Sequence, residues 1–201
     1  MNPETEVHRL TATLAVWQQY SSEVKAELFS TALSTDSGAY LVDPIYLDPD
    51  LLINLLGSST VAGVIVTNGN HEREASRYAR QFDVPLYARA ETGILGAFPF
   101  PENEPLKGDL RTIALEGAAT GECAIYDGRE GGTLVVGDAL INMGAAGFTF
   151  LPGKYCSNQK QMKKSLRNLL TLPFERLLFA HGSPLMGDAR ARLRALLDGA
   201  P

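Results

Sequence analysis

The chain has 201 residues, a length typical of one domain with a substantial hydrophobic core. It carries 18 basic and 23 acidic side chains, a formal net charge of −5, and no basic run, which argues against nucleic acid or membrane as partners. No apolar run approaches the ~20 residues of a membrane-spanning helix. Residues 1–6 lack the basic and apolar regions of a secretion signal, so we expect a single-domain cytoplasmic protein over residues 1–201.

Two isolated cysteines, Cys123 and Cys156, belong to no paired motif. This usage fits reduced thiols in a cytoplasmic protein, and small buried apolar side chains are the simplest interpretation of both.

The first third of the chain is rich in β-forming residues. Residues 11–19 and 24–32 predict two antiparallel strands, and residues 39–44 predict a third that Pro44 ends. Together these segments indicate a β-meander.

The pattern then changes to alternating helix and strand. Asp48 and Pro49 suit the N-cap and first position of a helix that Gly57 ends. The continuous apolar run of residues 61–67 predicts a strand buried on both faces. A helix over residues 72–82 and a short strand follow, and this order predicts parallel pairing through a right-handed crossover.

Residues 91–107 form a long segment rich in Gly and Pro that contains the apolar stretch 94–100. Loops of this length are often lids or interface elements, and a packed surface loop is the equally weighted alternative. An apolar wall of a binding site and a homodimer contact are the two functional interpretations.

The last third predicts three strands, two helices and one further strand. The strands cover residues 110–115, 122–126, 133–136 and 176–180, and the helices cover residues 158–170 and 189–197. The second and third strands suit a hairpin. The basic face of the first of these helices is predicted to be solvated. The order of elements favours an α/β (α+β) fold with two packed mixed sheets and helices outside.

Polar side chains stand at the ends of three buried strands, where α/β proteins usually place their chemistry. Asp138 follows Gly137, and His181 precedes Gly182. At the third corner, Asn70 suits an N-cap and His71 an exposed first-turn residue. Asp138 can equally well be a turn-forming residue, and a structural hydrogen-bonding role is the common alternative for a lone His.

In their order these corners resemble the metallo-β-lactamase superfamily, whose metal-dependent hydrolases have an αββα sandwich with a metal site at one edge. The family motif T-H-x-H-x-D-H falls on residues 67–73, which read TNGNHER. The later G-D and G-H-G motifs are similar to Gly137-Asp138 and Ala180-His181-Gly182. The segment 41–44, with Asp43, resembles the family's first core strand and its terminal Asp.

The chain departs from the family at the first metal position. Asn68, Asn70 and Ala118 stand where that family has its three histidines. Glu72 stands in place of the ligand Asp, and Arg73 in place of the next His. The resemblance therefore implies at most one metal ion.

The first functional hypothesis is a metal-dependent hydrolase with a reduced site. The resemblance implies that Glu72, Asp138 and His181 bind one divalent ion (zinc, iron or manganese) and form the catalytic centre. His71 or Asn70 would orient water or a small-molecule substrate.

The alternative is a catalytically inactive relative without metal. It would bind a small anionic ligand or a protein partner in the former cleft through Asn68, Asn70, His71 and Arg73. In this hypothesis the guanidinium of Arg73 replaces the metal charge and neutralises the adjacent acids.

Overall fold

The structure is a computed structural model that describes residues 5–101, 104–143 and 147–199. Across these residues two main sheets pack face to face, and helices cover both outer faces. Residues 1–4, on which the expectation about a secretion signal rests, and residues 102–103 of the long Gly/Pro-rich segment lie outside this description.

The first sheet has six strands in the order β1 to β6. Their bounds are Glu6–Arg9, Leu14–Ser21, Ala26–Thr35, Gly38–Val42, Val61–Ile65 and Leu86–Tyr87. The strands β1 to β4 pair antiparallel, and β4, β5 and β6 pair parallel. The predicted meander and the predicted parallel pairing are therefore confirmed, whereas β1 was not predicted.

Two helices lie on the outer face of this sheet. The first, α1 (Pro49–Leu56), begins as predicted, because the Asp48 side chain accepts hydrogen bonds from two first-turn amides and Pro49 follows it. The second, α2 (Ala75–Phe82), begins three residues later than predicted, with Glu74 and not Asn70 at its N-cap. The residues between β5 and α2 are consequently free to form the candidate site.

The second sheet has four strands in the order β12-β9-β8-β7. These are β7 (Arg111–Ala114), β8 (Cys123–Asp127), β9 (Thr133–Val136) and β12 (Arg176–Phe179). The predicted β8–β9 hairpin is confirmed, and β12 pairs parallel with β9. A separate hairpin, β10 (Leu140–Met143) and β11 (Gly147–Phe150), was not predicted. The helices α3 (Gln159–Leu169) and α4 (Ala189–Asp198) cover the outer face.

Three buried clusters hold these layers together. Between the sheets, side chains such as Val42, Ile65, Ile125, Val135 and Leu178 pack together, with at most 3% of each residue exposed. Separate apolar clusters join each sheet to its own pair of helices. This four-layer arrangement confirms the predicted αββα sandwich. Cys123 is a free thiol buried in the central cluster, and Cys156 is a half-buried free thiol.

The Gly/Pro-rich segment after β6 packs along the edge of the first sheet. Phe98 exchanges backbone hydrogen bonds with Leu86 and Ala88. Ile94 and Ala97 pack against the first sheet's outer cluster, whereas Leu95 is 94% exposed. Over the part of the chain that the structure describes, no helix is long and apolar enough to cross a membrane.

The topology gathers several strand ends at one edge of the sandwich. The parallel strands β4, β5, β9 and β12 all end there, and β8, antiparallel to β9, begins there. A hydrogen bond of 2.9 Å from the Phe29 amide to the Ala180 carbonyl joins the two sheets at this edge. The polar corners singled out in the sequence therefore meet in space.

Candidate metal centre

Three side chains converge at this edge in a ligand-like arrangement. The Nε2 atoms of His71 and His181 each lie 3.3 Å from Oδ1 of Asp138. One potential ligand atom from each of the three lies within 4.8 Å of the others. Two imidazole nitrogens and one carboxylate oxygen form a donor set that suits zinc, iron or manganese. The residues present at this edge therefore fit one divalent metal ion.

Each imidazole is held through its other nitrogen. Nδ1 of His181 lies 3.2 Å from the Glu27 carbonyl oxygen, and Nδ1 of His71 lies 2.9 Å from Oδ2 of Asp43. Because a carbonyl and a carboxylate accept hydrogen bonds, each Nδ1 carries a hydrogen, so loss of a proton from Nε2 gives the Nδ1–H tautomer with its Nε2 lone pair directed toward Asp138. This is the tautomer that metal ligation through Nε2 requires.

The Nε2 atom of His71 is buried and has no hydrogen-bond partner among the described residues. Its 3.3 Å approach to Oδ1 of Asp138 is an ion-pair contact and not a well-formed hydrogen bond. Buried polar atoms in folded proteins nearly always have a partner. An unpartnered nitrogen that faces a carboxylate and a second imidazole is what a metal-ligating histidine presents.

Asp43 supports His71 from the end of β4. Besides its contact with His71, its carboxylate accepts hydrogen bonds from the Thr67 amide, at 2.8 Å, and from the Thr67 hydroxyl. The Asp43 side chain is only 3% exposed. A buried carboxylate that orients a histidine is the usual outer support of a metal site. The resemblance had pointed to this Asp only as a strand end.

The pKa values show how the site balances its charges when no cation is bound. Burial and Arg73 act to lower the pKa of His71, but Asp43 and Asp138 outweigh them and raise it to about 9. Burial acts to raise the pKa of Asp138, but contacts with His181 and His71 lower it well below its usual range. His71 is therefore protonated at neutral pH, and ligation of a cation would displace that proton.

Glu122, which no sequence motif singles out, directly precedes β8 and lies beside this group. It is fully buried, and burial together with the nearby Asp138 raises the pKa of Glu122 to about 8. Its carboxylate accepts hydrogen bonds from Asn68 Nδ2, at 2.7 Å, and from the Ala139 amide, at 3.1 Å. The available signal was an acidic residue directly before the apolar β8 segment.

Arg73 extends its guanidinium under the site to main-chain carbonyls. It donates to the Phe29 and Asp43 carbonyls at 2.7 and 2.8 Å, and more weakly to Ala180 at 3.4 Å. Among the ion pairs of the described residues, none joins Arg73 to Asp138 or Glu72. Its hydrogen bonds go to the backbone, while the charges of Asp43 and Asp138 oppose the effect of burial, which lowers the pKa of Arg73.

The remaining candidates from the sequence lie around the group rather than in it. Asn68 is fully buried and donates to Glu122 and Asp138, whereas Asn70 is exposed. Glu72 is exposed and accepts a 2.6 Å hydrogen bond from the Ser76 hydroxyl. The chain turns through Arg73 with φ of +41°; His71 is buried in the site, whereas Glu72 faces solvent. The structure thus brings together Asp138 and His181 with His71, and not with Glu72.

Comparison with known proteins agrees with this geometry. A family model described as the metallo-beta-lactamase superfamily matches residues 6–199, so the chain belongs to that superfamily. The resemblance seen in the sequence is thereby confirmed. Membership supports a metal-dependent hydrolase, and the three-residue group supplies a candidate site for the divalent metals typical of the superfamily.

Solved structures with the same fold include three metallo-beta-lactamase relatives. The DIM-1 metallo-beta-lactamase is 14% identical, with 99% of both chains covered and a TM-score of 0.75. A metallo-beta-lactamase from Pontibacter korlensis is 14% identical, with 97% of this chain and 99% of that chain covered and a TM-score of 0.74. A metallo-beta-lactamase family protein from Thermus thermophilus is 18% identical, with 95% of this chain and 80% of that chain covered and a TM-score of 0.69. No curated protein matches the chain.

Proposed function

We propose that the chain is a metal-dependent hydrolase with a single-metal site formed by His71, Asp138 and His181. The observation that carries the proposal is the buried Nε2 of His71, which has no hydrogen-bond partner among the described residues. It lies 3.3 Å from Oδ1 of Asp138, and one potential ligand atom from each of His71, Asp138 and His181 lies within 4.8 Å of the others. A single ion is proposed because Asn68, Asn70 and Ala118 offer no imidazole on the other side of the site. Glu72 is not retained as a ligand, because its carboxylate faces solvent.

Neighbouring groups orient the three proposed ligands before any metal or substrate binds. Asp43 and the Glu27 carbonyl fix the tautomers of the two histidines, and Asn68 holds Oδ2 of Asp138 at 3.2 Å. A divalent cation bound there supplies Lewis-acid activation of water and of the scissile group. The side chains of Asp138 and His181 are 13% and 12% exposed, so solvent reaches this side of the group.

Identities of 14% to 18% show only a shared fold, so the related structures assign no substrate class to this chain. The metal-free binder remains the competing hypothesis. It assigned the metal charge to Arg73, but in the structure that guanidinium donates to main-chain carbonyls. The proposal therefore gives Arg73 a structural role.

Metal analysis of protein purified without chelator tests the proposal, with two neighbouring variants as a matched pair. We expect about one equivalent of zinc, iron or manganese in the wild-type protein and in Glu72→Ala, and loss of most of it in His71→Ala. Wild-type protein that binds none of the three ions even when they are added would favour the metal-free binder. Loss of metal in Glu72→Ala with retention in His71→Ala would instead support Glu72, Asp138 and His181, the ligands that the family motif implies.

A further inference from the structure

The two oxygens of Asp138 have different surroundings. Oδ1 lies 3.3 Å from the Nε2 atoms of both His71 and His181. Oδ2 accepts a hydrogen bond of 3.2 Å from Asn68 Nδ2 on the opposite side. One oxygen is therefore directed toward the proposed metal and the other is occupied by an amide.

The amide of Asn68 is held at both of its ends. Its Oδ1 accepts a hydrogen bond of 2.9 Å from the Asn70 amide, and its Nδ2 donates to Glu122 Oε2 at 2.7 Å. The Asn70 N–H can only donate, so the amide oxygen of Asn68 must face it, and Nδ2 is then the end that faces Glu122 and Asp138. A flipped amide would place its oxygen against the Asp138 carboxylate.

Glu122 contributes no potential ligand atom to the three-residue group. It is fully buried, and among the described residues no ion pair includes it. Its second oxygen accepts from the amide of Ala139, the residue that follows Asp138. A carboxylate without a paired cation is costly to bury. The two hydrogen bonds that this one accepts both come from groups next to Asp138: the Asn68 amide, which also donates to Oδ2 of Asp138, and the Ala139 N–H.

We propose that Glu122, acting through Asn68, is a positioning residue that confines Asp138 to binding metal through Oδ1 alone. This inference rests on the proposed function, since it assigns a coordination mode to the same metal site. The relay runs from Glu122 Oε2 to Asn68 Nδ2 and from there to Asp138 Oδ2. Without it, Oδ2 is released and the carboxylate can rotate and bind the metal with both oxygens.

Cobalt(II) substitution gives a readout other than activity, because its visible absorption weakens as coordination number rises. We expect Glu122→Gln and Asn68→Ala to reduce that absorption and to weaken Co²⁺ binding about 10–100-fold in chelator competition. The double variant should bind no more weakly than Asn68→Ala, because both changes break the same relay. Asp127→Asn is the matched control, since Asp127 is a buried carboxylate at the end of β8, the strand that Glu122 directly precedes, and it pairs with Arg129. It should keep the wild-type spectrum.

The outcomes separate the two proposals. Wild-type protein that binds no Co²⁺ would overturn both the metal site and the relay. Wild-type binding with an unchanged spectrum and affinity in Glu122→Gln would overturn the relay alone, as would strictly additive effects in the double variant or an equal change in Asp127→Asn. Where Glu122→Gln fails to fold, an unaltered spectrum in Asn68→Ala is sufficient to reject the relay.

Discussion

Arg73 is the residue whose role the structure changes most. Its guanidinium connects three strands, since Phe29 lies within β3, Asp43 follows β4 and Ala180 follows β12. Two of these carbonyls belong to or adjoin residues that hold the site, because Asp43 orients His71 and Ala180 precedes His181. A planar group with several donors can satisfy separate carbonyls at once, which an ammonium cannot do.

Replacement of Arg73 by Met should destabilise the protein by about 3 kcal/mol, because it leaves partly buried carbonyl oxygens without their charged donor. Urea unfolding of Arg73→Met measures this loss. Arg77→Met is the control, since Arg77 is 50% exposed and pairs with Glu74 one turn away on the helix surface. Exposed pairs of this kind contribute about 0–1 kcal/mol. Equal stability losses in the two variants would contradict the structural role of Arg73.

The position of His71, and not Glu72, beside Asp138 and His181 shows the limit of motif alignment at the residue scale. The alignment assigned Glu72 to the ligand position by counting from Thr67. In the structure His71 faces inward because Asp43 holds its Nδ1, and Asp43 is distant in sequence. A contact of this kind depends on the packing of two strands, and local spacing contains no information about it.

At the scale of the element, capping chemistry predicted α1 but not the start of α2. Asp48 and Pro49 form a local signal that needs no tertiary partner. The Asn70 signal was similar, yet Asn68 takes the Asn70 amide as its own partner and the chain turns before α2 begins. The hairpin of β10 and β11 was missed because its strands lack the continuous burial of β9 and β12: β10 is buried only in its first half, and β11 is half-buried throughout.

The corner after β9 depends on Gly137. A Cβ atom there would lie 2.5 Å from Thr67 Oγ1 and 2.8 Å from both Asn68 Nδ2 and Glu122 Oε1. Each of these atoms is already held by a hydrogen bond, so none can move without loss. The absence of a side chain at Gly137 therefore allows two sheets to meet around one site.

Gly137→Ala should destabilise the protein by about 1–3 kcal/mol through overpacking and should also weaken metal binding. Thermal unfolding with and without added metal measures both effects. In Gly187→Ala the new Cβ meets nothing within 4 Å, so this variant should keep the wild-type stability and metal binding. A fully stable Gly137→Ala with wild-type metal affinity would show that the corner is less tightly packed than the structure indicates.

At the scale of the whole molecule, the order of strands and helices was sufficient to predict the sandwich. Parallel strands that end at a common edge follow from the crossover at β5 and the later β9–β12 pairing. The buried charges at that edge could not be predicted from the same pattern, because Glu122, Asp43 and Arg73 each interact with residues far away in the chain. Their effect reaches beyond the site, since buried ionisable groups couple folding to pH.

The pH dependence of the free energy of unfolding of metal-free protein should show the raised pKa of Glu122. Its pKa is about 8 in the folded chain against an ordinary value of 4.5, because burial disfavours the ionised form. The folded state therefore binds more protons than the unfolded state between these two pH values. The contribution of Glu122 to stability is complete below about pH 4.5 and is lost as the pH rises through about 8.

The variant Glu122→Gln has no proton to lose in this interval. Urea unfolding in the presence of EDTA should show the wild-type protein losing stability relative to Glu122→Gln across that interval, whereas Asp127→Asn, which retains Glu122, should follow the wild type. A difference between wild type and Glu122→Gln that stays constant or changes in the opposite direction would show that Glu122 is already ionised in the folded protein, held by the amides of Asn68 and Ala139.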